Sequence, residues 1–364
     1  MLLRRLHLQN FRNIPLVQLE FNAARTFFVG ANGQGKTNLI EAVGLLGALR
    51  SFRGAEPRDL IARGASEARV WCALEHERDG TVEIEIQVRP QRREVSINGA
   101  KCERLADFLG RFPVVALSSH DLQLLRGAPQ LRRRAVDLAI ASLDENYFNA
   151  LRRYHEALDS RNALLRGPRS PTAEELAAFE AQMAPHAADL VSARAKVTLE
   201  LAIHFIAAYD QLTGGALEAP GWNYAPDSPA ITPEDWRQTW VDSRPRDLAM
   251  KTTLRGPHRD DFAFQLAGQE AKALGSEGQQ RGLVVSWRLA QAAWQRACTG
   301  IAPLVLADDV LGELDPARRE GFWRAVSNAA QVLATGTTLP VGEWGEWAVW
   351  KVSAGAFERS TPNV

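Results

Sequence analysis

The sequence is poor in features that would mark several other classes of protein. It has only three cysteines in 364 residues, Cys72, Cys102 and Cys298, and their wide separation matches no zinc-ligand spacing. We expect them to be reduced thiols. No apolar run reaches the roughly 18 residues of a membrane span, and the polar start MLLRRLHLQNFRN is unlike a signal peptide. Together these absences predict a cytoplasmic protein without a membrane segment.

Net charge is absent as well. The 43 basic residues are balanced by 43 acidic ones, so the overall basic excess of many nucleic-acid-binding proteins is missing. Only six of the basic residues are lysine; the others are arginine. A local basic face remains open, and charge alone therefore says little about partners.

Strand-like patterns flank a long helical middle. Residues 131–165 and 172–212 have apolar residues at helical spacing and are joined by a short loop at Gly167-Pro168, which predicts an antiparallel helical arm. Residues 214–245 are rich in Pro, Gly and Trp and are expected to be irregular. The predicted domains are residues 1–125 and 246–364, as two parts of one α/β head, and residues 126–245, as a mainly helical second domain.

One glycine-rich motif is complete. Gly30-Ala31-Asn32-Gly33-Gln34-Gly35-Lys36-Thr37 fits G-x-x-x-x-G-K-[ST], between an apolar strand and a helix. Glycines let backbone N–H groups surround phosphates, Lys36 neutralises the β- and γ-phosphates, and the Thr37 hydroxyl ligates Mg²⁺. This context favours nucleotide binding by residues 30–37, with Asn38 beside them, over a plain glycine-rich turn.

Two acids follow another apolar run. Asp308 and Asp309 directly follow the apolar residues 304–307, which are expected to form a strand. Ligands of open α/β sheets lie beyond the carboxyl ends of strands. We expect Asp308 to hold Mg²⁺ together with Thr37, through water, and Asp309 to orient or deprotonate the attacking water. Lys36, Asp308 and Asp309 are therefore the candidate catalytic residues. Paired acids also occur as caps on surface helices, and that alternative remains.

A serine motif precedes the acids by about 30 residues. Ser276, Gly278 and Gln279 begin a helix, where free N–H groups can bind an anion, although Ser276 could equally be a plain helix cap. The spacing resembles the signature motif of the ATP-binding-cassette superfamily, which completes the nucleotide site of a second subunit. Asp315, before Pro316, is expected to cap the next helix, a role compatible with a place at a dimer interface.

The order of motifs along residues 1–340 resembles the RecF family. The motifs are residues 10–13, 30–42, 51–53, 161–165, 255–261, 276–281 and 308–315. The resemblance implies an ABC-type P-loop ATPase head with mixed sheets, related to SMC-type ATPases but without their long coiled coil. It also implies DNA binding, an ATP-dependent homodimer, and work with RecR and RecO to load RecA at gapped DNA. Arg12 resembles a phosphate-contacting arginine of related heads; a simple salt bridge is the alternative.

His258 and the arginine run each have two candidate roles, and two other classes of protein also contain a phosphate-binding loop. His258 could contact phosphate or a partner, or be a hydrogen-bonded structural histidine. Arg132, Arg133 and Arg134 point different ways on a helix, which favours a solvated face over a DNA contact. A transporter ATPase subunit is the alternative function, but its signature motif follows its loop much sooner. A P-loop kinase would have no use for the Ser276 motif.

Overall fold

The computed structural model describes residues 1–104, 107–215, 218–326, 329, 331–339 and 347–360. The strands are β1 (Leu2–Phe11), β2 (Ile14–Glu20), β3 (Arg25–Val29), β4 (Ala68–His76), β5 (Gly80–Arg89), β6 (Arg92–Ile97), β7 (Ala100–Lys101), β8 (Val114–Ser118), β9 (Pro220–Ala225), β10 (Asp261–Leu266), β11 (Gln269–Glu270), β12 (Leu304–Asp308), β13 (Gln331–Gly336), β14 (Ala348–Ser353) and β15 (Ala356–Ser360). The α-helices are α1 (Lys36–Ala48), α2 (Leu122–Arg126), α3 (Pro129–Ala141), α4 (Glu145–Leu165), α5 (Ala173–Thr213), α6 (Pro233–Met250), α7 (Ala271–Leu274), α8 (Glu277–Thr299) and α9 (Pro316–Ala325). No helix of the described ranges is both long and apolar enough to cross a bilayer.

The chain divides into two compact units. The first unit comprises Met1–Leu122, His204–Leu217 and Ser276–Val364, and the second comprises Gln123–Ile203 and Glu218–Gly275. We call the first unit the head and the second unit the helical unit.

The head contains two six-stranded sheets. The first is antiparallel, in the order β2-β1-β4-β5-β6-β7, and the second is mixed, in the order β15-β14-β3-β13-β12-β8. In the second sheet β8, β12, β13, β3 and β14 run parallel, and only β15 pairs antiparallel. The predicted α/β head with mixed sheets is therefore confirmed.

Strand β12 is buried on both faces. Leu304 and Leu306 belong to one hydrophobic cluster, and Val305 and Ala307 belong to another. This two-sided burial explains why the strand is a continuous apolar run rather than an alternating one. Asp308 is the first charged residue after this apolar run, and it lies at the carboxyl end of β12.

Helix α1 packs against both sheets of the head. Its Leu39 and Leu46 share a cluster with Leu6 of β1 and Leu306 of β12. The opposite face of the second sheet is covered by α8, α9 and the last turns of α5. The start of α1 is thereby fixed at the carboxyl ends of the parallel strands.

The helical unit is held by buried charges. Arg161 of α4 donates to Glu180 of α5 at 2.9 Å and to Asp247 of α6 at 2.8 Å, and all three side chains are buried. Helices α4 and α5 therefore pack side by side, joined by a short loop. A small sheet in the order β11-β10-β9 completes this unit.

The units differ from the predicted domain ranges by a small shift at residues 123–125 and by larger changes at two places. Residues 246–275 belong to the helical unit, because β10 pairs with β9 across its whole length. The end of α5 from residue 204 belongs to the head, because Ala208 and Leu212 join its hydrophobic cluster. Neither long-range pairing leaves a local signal in the sequence.

Two local predictions were also wrong. Residues 131–165 form two helices, α3 and α4, because the Asp144 side chain caps α4 by accepting from the N–H groups of Asn146 and Tyr147. Residues 214–245 are not irregular, since they contain β9 and most of α6. Pro233 stands at the first turn of α6 after the Thr232 cap, where proline favours a helix instead of breaking it.

Candidate nucleotide site

The glycine-rich loop connects β3 to α1. Gly33 and Gly35 have φ of 80° and 110°, in the left-handed region that favours glycine. Gly30 must lack a side chain for another reason, because a Cβ there would lie 2.3 Å from the Val352 carbonyl oxygen. The loop therefore has the glycines of a phosphate-binding loop at positions where the backbone requires them.

The Lys36 ammonium lies inside this loop. Its Nζ donates to the carbonyl oxygens of Gly30 at 2.6 Å and Ala31 at 2.8 Å. Burial lowers the pKa of Lys36, while the nearby Asp309 and Asp308 act in the opposite direction. The ammonium is thus held by two loop carbonyls that a phosphate could replace as its partners.

Thr37 and Asp308 lie within hydrogen-bond distance of each other. The Thr37 hydroxyl donates to Asp308 Oδ1 at 2.8 Å, and the hydroxyl of Thr335, near the end of β13, donates to the same oxygen at 2.8 Å. Burial raises the pKa of Asp308, and the hydrogen bonds from Thr37 and Thr335 oppose that rise. Thr335 was missed as a site residue, although it stands near the end of a buried strand, as Asp308 does.

Asp309 adopts a backbone conformation that is unusual for a residue other than glycine. Its φ is 56°, and its N–H donates to the Thr335 hydroxyl at 3.0 Å. Such outliers carry a conformational cost and cluster at functional sites. Thr335 therefore fixes both acids at the edge of the sheet.

Arg12 forms a bidentate salt bridge with Glu41 of α1. Its Nε and Nη2 donate to the two carboxylate oxygens at 2.6 and 2.8 Å, and the Ser51 hydroxyl also donates to Glu41. The salt-bridge alternative is thus what the structure contains, and a phosphate contact of Arg12 stays a prediction.

A groove opens beside Arg12. It has a volume of about 870 Å³ and is lined by Asn13, Asn38 and residues from the segment 55–63. Asn38 Nδ2 donates to Asn13 Oδ1 at 2.7 Å, which ties the β1–β2 turn to the first turn of α1. This groove could not be predicted from the sequence, because its walls come from three separated segments.

The serine motif forms a second group of candidate residues. Ser276 caps α8 in a capping box with Gln279, whose N–H donates to Ser276 Oγ at 3.3 Å and whose Oε1 accepts from the Ser276 N–H at 2.8 Å. Asp315 caps α9 by accepting from the Arg318 N–H at 2.9 Å. The Arg318 guanidinium covers Gly278, where an added Cβ would lie 2.6 Å from Nη1. Arg318 therefore joins the start of α8 to the cap of α9.

The helical unit answers two questions that the sequence left open. His258 accepts from the Tyr154 hydroxyl at 2.7 Å and bonds through Nε2 to the Thr253 carbonyl at 3.0 Å, as a structural histidine does. The solvated-face interpretation was wrong for Arg132, which is buried and donates to both Asp261 oxygens at 2.8 and 2.9 Å. Of the three arginines, Arg132 is buried, Arg133 is half-buried and Arg134 is exposed.

Comparison with known proteins decides the family. The family model described as the RecF/RecN/SMC N terminal domain matches residues 2–340. The chain is 37% identical to the DNA replication and repair protein RecF of Synechococcus sp. (strain JA-3-3Ab), over 93% of this chain and 92% of that protein. The chain belongs to the RecF family. RecF of Moorella thermoacetica (strain ATCC 39073 / JCM 9320) is 33% identical, over 99% and 97% of the two chains.

Solved structures agree with this membership. The structure of the recombination mediator protein RecF-ATP in the RecFOR pathway matches with a TM-score of 0.90 and 26% identity, over 99% of this chain and 97% of that one. An Smc head bound to the C-winged helix domain of ScpA matches with a TM-score of 0.58 and 16% identity, over 99% and 97%, and shows the shared fold alone. The fold of this RecF-family chain is therefore that of an ABC-type ATPase head with a second unit.

Proposed function

We propose that this RecF-family chain binds ATP at residues 30–38 and acts on DNA in replication and repair. The observation that carries the proposal is the meeting of Thr37 and Asp308 at 2.8 Å, beside the buried ammonium of Lys36. The full-length relatives are named for DNA replication and repair, and one solved relative is an ATP complex. A protein that acts on bacterial chromosomal DNA would work in the cytoplasm.

The side chains fit a magnesium–triphosphate ligand. Mg²⁺ prefers oxygen ligands and takes only one or two from protein in phosphate sites, and Thr37 and Asp308 offer a hydroxyl and a carboxylate oxygen at one point. The bound ion would supply charge neutralisation at the phosphates. Lys36 would exchange its two carbonyl partners for phosphate oxygens, and Thr335 would keep Asp308 oriented.

Asp309 is proposed as the group that orients or deprotonates the attacking water. A general base must come within hydrogen-bond reach of the proton that it takes, directly or through one water. The short aspartate side chain reaches one methylene less far than a glutamate would. We therefore propose that hydrolysis is slow. Its role would be to end the ATP-bound state and release the clamp, not to drive a mechanical power stroke.

We further propose an ATP-dependent homodimer that clamps DNA at gaps and at junctions of single and double strands. In this dimer Ser276, Gly278 and Gln279 of one copy would face the γ-phosphate bound by the other, with Asp315 at the interface. Work with RecO and RecR to load RecA, and a part in the SOS response, follow from the family and remain proposals. The capping box at the start of α8 pairs the Gln279 N–H with the Ser276 hydroxyl, so the anion-binding part of this proposal rests on the family resemblance and not on the cap.

The test is a gel shift with gapped duplex DNA, with and without ATP, on the full chain. We expect ATP-dependent binding for wild type and its loss in Lys36→Ala. Lys101→Ala, which removes an exposed lysine of β7, is the matched control and should behave as wild type. Failure of the wild-type protein to bind DNA in either condition would refute the DNA function and favour the transporter-type alternative.

A further inference from the structure

Strands β14 and β15 form a hairpin, which we call the C-terminal hairpin, and its turn lies against the glycine-rich loop. Strand β14 runs parallel to β3, with Lys351 opposite Val29 at the end of β3, so the turn that follows β14 reaches the loop. The Ala354 N–H donates to Gln34 Oε1 at 2.6 Å, and the Gly355 N–H donates to the Gln34 carbonyl oxygen at 2.8 Å. One loop residue is therefore held by two backbone donors from a distant part of the chain.

These contacts set the direction of a loop amide. In a trans peptide the C=O and the following N–H point in opposite directions within one plane. Because the Gln34 carbonyl points at the hairpin, the N–H of Gly35 points away from it. Loop amides bind phosphate when they point inward, and the bonds from the turn hold this amide in a single direction.

The approach of the turn depends on Gly355. Its φ is 80°, and a Cβ at this position would lie 2.7 Å from the Asn13 carbonyl oxygen. Gly35 lies nearby, since its own added Cβ would lie 3.2 Å from Asn13 Oδ1 and 3.5 Å from the Gly355 Cα. The hairpin turn, the β1–β2 turn and the loop thus meet at one point, where a side chain at Gly355 does not fit.

We propose that the Ala354–Gly355 turn positions the phosphate-binding loop, acting through Gln34 without touching the nucleotide. A loop whose amides are held in their binding orientation before the triphosphate binds loses less conformational freedom on binding. The affinity for the triphosphate is therefore higher. This role rests on the proposed ATP binding. It makes the C-terminal hairpin, which lies outside the loop motif, a contributor to nucleotide affinity.

The chain contains a matched control for the critical glycine. Gly99, in the β6–β7 hairpin, has φ of 78° after Asn98 at 49°, and Gly355 has φ of 80° after Ala354 at 49°. An added Cβ at Gly99 would meet nothing within 4 Å. Gly99→Ala and Gly355→Ala therefore impose the same backbone strain, but only at Gly355 would the Cβ also clash with the Asn13 carbonyl oxygen and shift the turn that holds Gln34.

The experiment compares both variants with wild type by calorimetric titration of ATP with magnesium and by thermal unfolding without nucleotide. We expect Gly355→Ala to raise the Kd for ATP about tenfold, which corresponds to about 1.4 kcal/mol. Gly99→Ala should stay within about twofold of wild type. Equal Kd values for the two variants would overturn the role of the hairpin while leaving ATP binding intact. Wild-type protein that binds no ATP would instead overturn the proposed function, and this role with it.

A second variant covers the case in which Gly355→Ala does not fold. Gln34→Ala removes the Oε1 acceptor and leaves the hairpin sequence unchanged, and we expect about a threefold higher Kd for ATP. In wild type, ATP should slow hydrogen exchange at the Ala354 and Gly355 amides but not at Gly99. An unchanged Kd in Gln34→Ala, together with unchanged exchange at the hairpin turn, would overturn the proposal.

Discussion

Removal of the Arg12 guanidinium should destabilise the protein more than it weakens nucleotide binding. The Glu41 side chain is 0% exposed, and its carboxylate accepts two hydrogen bonds from Arg12 and one from Ser51, with Arg53 at 3.5 Å. Arg12→Ala would leave this buried charge with weaker compensation. Breaking such a buried pair costs about 3–5 kcal/mol, and we expect the lower end because Ser51 and Arg53 remain.

A double-mutant cycle isolates the contribution of the pair. Glu41→Gln removes the buried charge but keeps an oxygen that can accept from Ser51, so Arg12→Ala in that background should cost only about 1 kcal/mol. The coupling energy should therefore be about 2 kcal/mol. Urea unfolding of wild type, both single variants and the double variant measures it. Arg4→Ala is the control, since Arg4 pairs with an exposed Glu75 and such surface pairs contribute less than about 1 kcal/mol.

The same variants decide between the two roles that the sequence left open for Arg12. If Arg12→Ala unfolds at the wild-type urea concentration while its Kd for ATP rises by an order of magnitude or more, Arg12 acts on phosphate and the reasoning from burial is refuted. If stability falls and the Kd changes little, the arginine acts through Glu41.

Three further outcomes are expected. Ser276→Arg should bind ATP but fail to dimerise, because the start of α8 would face a partner's phosphate; an ATP-dependent dimer in sedimentation would contradict this. Asp309→Asn should slow single-turnover hydrolysis about a hundredfold and prolong the dimer, and an unchanged rate would exclude Asp309 as the base. Burial lowers the pKa of His258 from 6.5 to about 4, so the folded state binds this proton less tightly than the unfolded chain. The free energy of unfolding should therefore fall as the pH drops from about 6.5 to 4, and His258→Gln should flatten that part of the profile; equal slopes in urea unfolding would contradict it.

Local motifs were enough to predict that the loop and the two acids lie close together, for a physical reason. The loop at residues 30–37 and the acids Asp308 and Asp309 each follow a buried parallel strand, and the carboxyl ends of parallel strands meet at one edge. The 2.8 Å contact between Thr37 and Asp308 therefore follows from pattern and topology together.

The supports of the site could not be predicted in the same way. Thr335 and the Ala354–Gly355 turn reach the site only because β13 and β14 flank β3, an order that no local pattern encodes. Glu41 did carry a signal, since an acid within the apolar run Leu39-Ile40-Glu41-Ala42 needs a buried partner, but the sequence does not say that Arg12 supplies it.

Three buried arginines of the helical unit have a structural role that bears on the search for the proposed DNA contacts. Arg161 and Arg194 are 0% and 1% exposed, and each holds two acids of the helical unit. Arginine suits these positions better than lysine, because its planar guanidinium makes several hydrogen bonds in fixed directions and stays charged when buried. Arg132, which stood in the most basic run of the sequence, is used in the same way. A basic run in this chain is therefore no guide to a DNA surface. Charge-reversal experiments should begin at exposed arginines such as Arg134, whose mutation leaves the buried pairs intact.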